Sequence, residues 1–411
     1  MNKNRSIVIG LISLVLVTSI VTFSFTTLFV LKQENLKDNN QYNITFDKKD
    51  VSSENIKKFN QVKDILDGKY YEDVNKNNLI EGAISGMTHS LNDPYTVYFS
   101  KEQMQQFNEK TEGSYVGIGI NVVMDNSGVL NVVEAFENSP AKKAGIKQGD
   151  KIIKVDGEDV TAIKDEDMII KLIRGKENTN VGITVYRPSA EKSIDFEVLR
   201  RKIKTVNITR EMLPGNIGYI KIVMFDSDVA DYFNKYVDEL LGEGMKGLLI
   251  DLRDNPGGSY EQVVSIADRL LPEGLIVYTE DKQKVREEKK SDSKDLKVPI
   301  ALLVNGNSAS ASEVLSGALK DHKKGVLIGT KTFGKGLVQE IYQLEDGSGL
   351  KVTVARYFTP SGKCIQGIGI SPDIEVQVPD EYKDKAVSEI PREDDVQFKK
   401  AVEYLEENII R

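Results

Sequence analysis

Residues 304–339 read VNGNSASASEVLSGALKDHKKGVLIGTKTFGKGLVQ. The apolar run Ile300 to Val304 enters this stretch as a buried-type strand and ends in a serine-rich turn, Asn305 to Ser312. Small and apolar residues from about Ala311 to Lys320 predict a helix, and Val326 to Gly329 predicts a second strand. The stretch closes on a glycine-bounded lysine, Gly334-Lys335-Gly336, and then Gln339. The same order repeats upstream. A strand over Ile217–Ile222 precedes an amphipathic helix over Asp228–Gly242, and the buried strand Gly247–Leu252 runs through Arg253-Asp254-Asn255-Pro256-Gly257-Gly258 into a helix over Tyr260–Leu271. Strands alternating with helices, with glycines at strand ends, predict an α/β core on a mainly parallel sheet, here over residues 202–379. Residues 380–411 are charged and carry a helical repeat (Phe398, Ala401, Val402, Leu405), expected to pack on the core or on a second copy.

Working toward the N-terminus, residues 112–201 change character. Val116-Gly117-Ile118-Gly119-Ile120 enters a strand, Ser139-Pro140-Ala141 opens a helical turn, and Asp156-Gly157 is a hairpin signal. A short helix is expected over Glu166–Ile173, with Met168 and Leu172 among its apolar residues. These elements, in this order, resemble a PDZ domain. That resemblance implies a groove in which backbone N–H groups of residues 116–120 cradle a C-terminal carboxylate, with Met168 and Leu172 on the facing helix wall. Residues 50–111 have helical spacing (Ile56, Phe59, Val62, Ile65, Leu66), which suits packing or a homodimer contact. Residues 32–49 form a polar, asparagine-rich linker. Ile7 to Leu31 carries no charge, enough for a spanning helix of about 20 residues. Lys3 and Arg5 precede it, and the first alanine in the chain is Ala83, which argues against an Ala-x-Ala cleavage site. The expectation is a single-pass anchor over 7–31 in a cell membrane, with residues 1–6 cytoplasmic and the remainder extracytoplasmic.

Composition narrows the chemistry. Forty per cent hydrophobic and 29% charged residues form an ordinary globular mixture, and a net charge of -8 argues against nucleic acid as partner. One cysteine, Cys364, permits no intrachain disulfide, and no metal or other cofactor signature is present. A serine nucleophile needs a base, and the chain has only two histidines. His322 lies at the far end of the helix that follows Ser310, about 18 Å away at 1.5 Å per residue. His89 sits in the N-terminal helical region. A lysine serves instead if burial lowers its pKa toward neutrality. Lys335 has apolar neighbours Phe333, Leu337 and Val338 to desolvate it, and Gln339 shares its face if the segment is a strand. Ser308, Ser310 and Ser312 are equally available hydroxyls, and Ser310-x-x-Glu313 also fits a helix capping box.

DLRDNPGG, SASASE, TFGKGLVQ and YFTPSGKCIQGIGISPD, following a PDZ-like segment, resemble the carboxy-terminal processing (tail-specific) serine proteases over residues 50–411. The resemblance implies Ser310 as nucleophile, Lys335 as general base and Gln339 as orienting amide. It places the backbone N–H of Gly257 or Gly258 in the oxyanion hole, and with Ser310 at a helix start the dipole and the following N–H of Ala311 are expected to stabilise the same anion. It also implies a membrane-anchored serine endopeptidase whose PDZ domain takes the C-terminal tails of polypeptide substrates. A catalytically silent PDZ scaffold is the alternative. Arg174, at the end of the groove helix, is expected to relay peptide binding to the protease core through an ion pair.

Overall fold

The computed structural model describes residues 51–409 apart from Asn126 and Asp384. Two compact units are distinguished, one ending at Ile80 and one running from Glu81 to Arg411. In the first, the helix Ser53–Lys69 buries none of its residues and leaves Phe59, Val62 and Ile65 exposed.

The second unit is built on a six-stranded sheet in the order Ile208–Leu213, Ile217–Ile222, Gly247–Asp251, Ile300–Val304, Val326–Gly329, Ile374–Glu375. Only the first pair is antiparallel; the other neighbours are parallel. Both faces are covered, so the central strands are continuously apolar. Ile250, Leu302 and Val304 face the helices Val229–Gly242, Tyr260–Leu270 and Ala311–Asp321. Leu249, Ala301 and Leu303 face the C-terminal helix Val396–Ile409 through Phe398, Ala401 and Leu405. The alternation is the period-2 pleat of a strand, with each face buried against its own layer.

Beside this layer lies an antiparallel sheet with the path Val97–Phe99, Gly349–Phe358, Gly274–Asp281, Arg286–Ser291, and Leu337–Gln343 also pairs with Gly349–Phe358. Two of its pairings are local hairpins, Gly274–Asp281 with Arg286–Ser291 and Leu337–Gln343 with Gly349–Phe358, but the hairpins and Val97–Phe99 come from distant parts of the chain. Residues 120–199 form a separate sheet of five main strands, all antiparallel, with its own core of Ile118, Leu130, Ile146, Ile169, Val181 and others. A two-stranded ribbon, Ser114–Gly117 against Arg201–Lys204, joins it to the rest.

One expectation is corrected. The anchor over 7–31 lies outside the described residues, and no helix among them is long and apolar enough to cross a membrane. The longest, Ser53–Lys69, has 17 residues and carries lysines and acids along its length. Over the described residues the fold is therefore a mixed α/β architecture, and none of its helices there is able to span a membrane. The cell-membrane, extracytoplasmic placement loses the helix on which it rested.

Candidate active site

Ser310 caps the helix Ala311–Asp321 with φ 55° and ψ −114°, a backbone conformation that an L residue rarely adopts. Such a conformation costs about 1–3 kcal/mol and persists only where the surroundings enforce it. The three serines of the turn are not equivalent. Ser308 is buried, donating its hydroxyl to the Leu252 carbonyl at 2.8 Å, and buried Ser312 donates to the Asn255 carbonyl at 3.0 Å. Ser310 is half-buried, and its hydroxyl makes no capping bond. The helix start is held instead by Glu313, whose carboxylate accepts from Ser310 N–H at 2.9 Å.

The Asn255-Pro256-Gly257-Gly258 loop packs directly against this turn. A Cβ at Gly257 would sit 2.8 Å from the Ala309 carbonyl oxygen and 2.8 Å from Ser310 Cβ, so only glycine fits, and φ is 104°. Gly257 N–H donates to Asn255 Oδ1 at 2.8 Å and is thus already engaged, contrary to its expected place as an oxyanion donor. The N–H groups of Gly258 and Ala311 have no acceptor among the described residues.

Lys335 lies in the turn before the strand Leu337–Gln343. Its ammonium sits 4.7 Å from the centroid of the Tyr95 ring and forms no hydrogen bond with Ser310 Oγ. Burial pushes the Lys335 amine below the ordinary lysine range, nearby Lys351 pushes it further, and Asp93 and Glu313 partly oppose. Gln339 is not on Lys335 through strand periodicity. The strand begins only at Leu337, and a bulge between Val338 and Gln339 breaks the alternation. The Gln339 amide donates to the Leu337 carbonyl at 3.1 Å. The histidines are committed elsewhere: His322 Nε2 bonds the Leu275 carbonyl at 2.7 Å, and His89 Nδ1 the Ser85 carbonyl at 2.8 Å.

A second concavity lies between the edge strand Ile120–Met124 and the helix Glu166–Ile173. The carbonyls of Ile118 and Gly119 accept from Ala141 and Phe136 N–H. In planar trans peptides the N–H groups of Gly119 and Ile120 therefore point the opposite way. The helix presents Glu166, Ile170 and Ile173 to this groove. Met168 and Leu172 are 55% and 45% exposed and do not line it, which corrects the expected helix wall. At about 100° per residue, positions 166, 170 and 173 share one stripe, whereas 168 and 172 fall on another. Val116 also misses the groove; it pairs with Lys202 in the ribbon, and Tyr115 lines the groove instead. Arg174 forms no ion pair among the described residues. Its guanidinium lies 4.6 Å from the centroid of the Tyr115 ring, at the groove's edge, so the expected relay through an ion pair is not present.

A PDZ groove and a serine turn buttressed by a glycine loop, on an α/β layer, define a class of peptidase-like folds. The family model for peptidase family S41 matches residues 216–376, one for the PDZ domain 116–198, and one for the activating protease CtpB N-terminal domain 15–103. A probable CtpA-like serine protease of Staphylococcus aureus (strain COL) is 37% identical over 378 residues, covering 91% of this chain and 72% of that relative. Another, from strain MRSA252, is 39% identical over 329 residues, 79% of this chain and 65% of that relative. The photosystem II D1 C-terminal processing protease is 32% identical, covering 78% of this chain and 86% of that chain at a TM-score of 0.47. The chain spans about 65% of the length of the first curated relatives it matches. It belongs to peptidase family S41, among the CtpA-like serine proteases.

Neither Glu313 nor Tyr357 stood out in the sequence. Glu313 read as an ordinary capping residue and Tyr357 as the first residue of the YFTPSGKCIQGIGISPD motif, because most of their partners are on distant segments.

Proposed function

We propose that the chain is a serine endopeptidase that cleaves polypeptides whose C-terminal tails dock in the PDZ groove. The observation that carries this reading is that Ser310 alone among the three serines of its turn has a hydroxyl with no bond among the described residues, on a strained helix start whose neighbouring turn carries a lysine with a partly desolvated amine. In this mechanism neutral Lys335 Nζ takes the Ser310 Oγ proton as Oγ attacks the scissile carbonyl. The oxyanion accepts from Gly258 and Ala311 N–H, helped by the positive end of the helix dipole. Lys335 then gives its proton to the leaving amine, and water hydrolyses the acyl-enzyme by the reverse order of transfers. The Lys335–Ser310 hydrogen bond is proposed to close when substrate binds, with Gln339 steadying the amine. Catalytic hydrogen bonds often tighten only when substrate binds.

In the PDZ groove a tail would add as a strand along Ile120–Met124, with its carboxylate on the N–H groups of Gly119 and Ile120. Its last side chain would lie between Ile118, Ile170 and Ile173. The proposed boundaries are a helical region over 50–111, the PDZ domain over 112–201, the peptidase core over 202–379 and a terminal helical region over 380–411. The exposed face of Ser53–Lys69 is proposed to meet a second copy.

The test uses one unfolded protein substrate prepared with a free apolar C-terminus and with that terminus amidated. Cleavage by the wild type, absent in Ser310→Ala, is the expected result. Ile170→Asp places a charge where the apolar side chain docks and is expected to raise KM for the free-tailed substrate about tenfold. The amidated substrate should respond little. Equal cleavage by Ser310→Ala would remove the serine mechanism. Tail binding without cleavage would favour the scaffold.

A further inference from the structure

Fully buried Glu313 accepts hydrogen bonds from Ser310 N–H at 2.9 Å, Thr332 Oγ1 at 2.6 Å, Gly334 N–H at 2.7 Å and Lys335 N–H at 2.8 Å. A capping glutamate needs only the first of these. The other three come from the turn that carries Lys335. On the carbonyl side, the hydroxyl of buried Tyr357 lies 3.1 Å from the Ser310 carbonyl and also donates to the Lys335 carbonyl. Two residues from different elements thus grip both peptide groups of both turns.

We infer that Glu313 and Tyr357 are positioning residues, a two-sided clamp that holds the Ser310 turn and the Lys335 turn in fixed register. This rests on the proposed Ser310–Lys335 chemistry and adds what keeps the pair aligned. The helix itself contributes on the carbonyl side, where Ser310 accepts from Glu313 and Val314 N–H at 2.8 and 3.0 Å, and the clamp adds the bonds that tie this strained residue to the Lys335 turn. Donors surround Glu313 on both carboxylate oxygens. Thr332 extends the arrangement, accepting from Ile370 N–H at 2.7 Å while donating to Glu313. Misplacing a reacting pair by about 1 Å costs on the order of a hundredfold in rate.

The two jaws differ in charge, which makes the clamp testable. The groups facing the Lys335 amine are Tyr95 and Asp93 from the turn that leads into Val97–Phe99, Lys351 from the strand Gly349–Phe358, and Glu313 from the helix Ala311–Asp321. Glu313 favours the charged ammonium, so Glu313→Gln lowers the pH at which the amine deprotonates. Tyr357→Phe removes a neutral hydroxyl and leaves that pH in place. Cleavage of fluorescein-labelled casein would be measured across pH for the wild type, both variants and Ser310→Ala, with thermal melts as a folding control. Tyr357→Phe is expected to lower kcat about 10- to 100-fold with KM within about twofold, and with the acid limb unmoved. Glu313→Gln is expected to lower kcat and shift the acid limb to lower pH. If folded Tyr357→Phe keeps wild-type kcat, the clamp is overturned whatever Glu313→Gln does. An acid limb that stays put in folded Glu313→Gln overturns its charged jaw. If Ser310→Ala cleaves like the wild type, it is the serine reading that fails instead.

Discussion

Lys335→Ala is expected to lower kcat about 10⁴-fold while leaving tail-peptide affinity at the PDZ groove unchanged. A serine hydroxyl is a weak nucleophile until a base takes its proton, and the histidine rings bond other groups, His322 the Leu275 carbonyl and His89 the Ser85 carbonyl of its own helix. Lys335→Arg is expected to be equally inactive, because a guanidinium does not deprotonate in a protein. Ser310→Ala should cost about as much, and the double variant little more, since the two act as one unit. In the wild type the sign of the pH dependence follows from the amine. Only its neutral form accepts the proton, so kcat rises with pH, and burial sets the midpoint below the ordinary lysine value of about 10.4. Single-turnover kinetics on a fluorescent peptide, with tail binding by anisotropy, would check both halves. A Lys335→Ala enzyme within tenfold of wild type would remove the lysine from the mechanism.

Arg253→Met is expected to destabilise the fold by about 3–5 kcal/mol. Arg253 is 2% exposed and donates through Nε and Nη2 to Asp251 at 2.9 and 2.7 Å, and through Nη1 to Asp395 at 2.9 Å. Burial alone would depress the guanidinium, but Asp251 and Asp395 hold it charged, above the ordinary arginine range. Tyr219 donates to the same Asp251 at 3.1 Å, and Gln397 accepts from Arg253 at 3.2 Å. Methionine fills the volume and leaves two buried carboxylates without their cation, so most of the cost is unpaired charge rather than lost packing. The network ties the end of a central strand to the start of the C-terminal helix, just ahead of the glycine loop beside Ser310. Chemical denaturation would therefore show a lowered midpoint with an unchanged slope. A change below about 1 kcal/mol would mean that water screens the pair.

The alternating core was legible because parallel strands buried on both faces are apolar runs, as Ile300–Val304 is throughout and Gly247–Asp251 is up to its terminal aspartate. The antiparallel sheet was not, because Val97–Phe99 pairs with residues more than two hundred positions away and leaves no local period. Helix phase in the groove was misjudged: Met168 and Leu172 are as apolar as Ile170 and Ile173, and apolarity does not say which stripe faces the edge strand.

By itself the sequence determined the strand and helix order, the mainly parallel sheet, and Ser310 and Lys335 as candidates, since each of these follows from local spacing and residue chemistry. Residue chemistry left Ser308, Ser310 and Ser312 equal and only the resemblance favoured Ser310; the tertiary structure adds a physical difference, because a hydroxyl's freedom depends on whether a distant carbonyl, Leu252 or Asn255, reaches it. It alone engaged Gly257 N–H with Asn255 and brought Glu313 and Tyr357 onto both turns. Hydrogen bonds between segments are set by how layers pack, and no spacing along one chain encodes that.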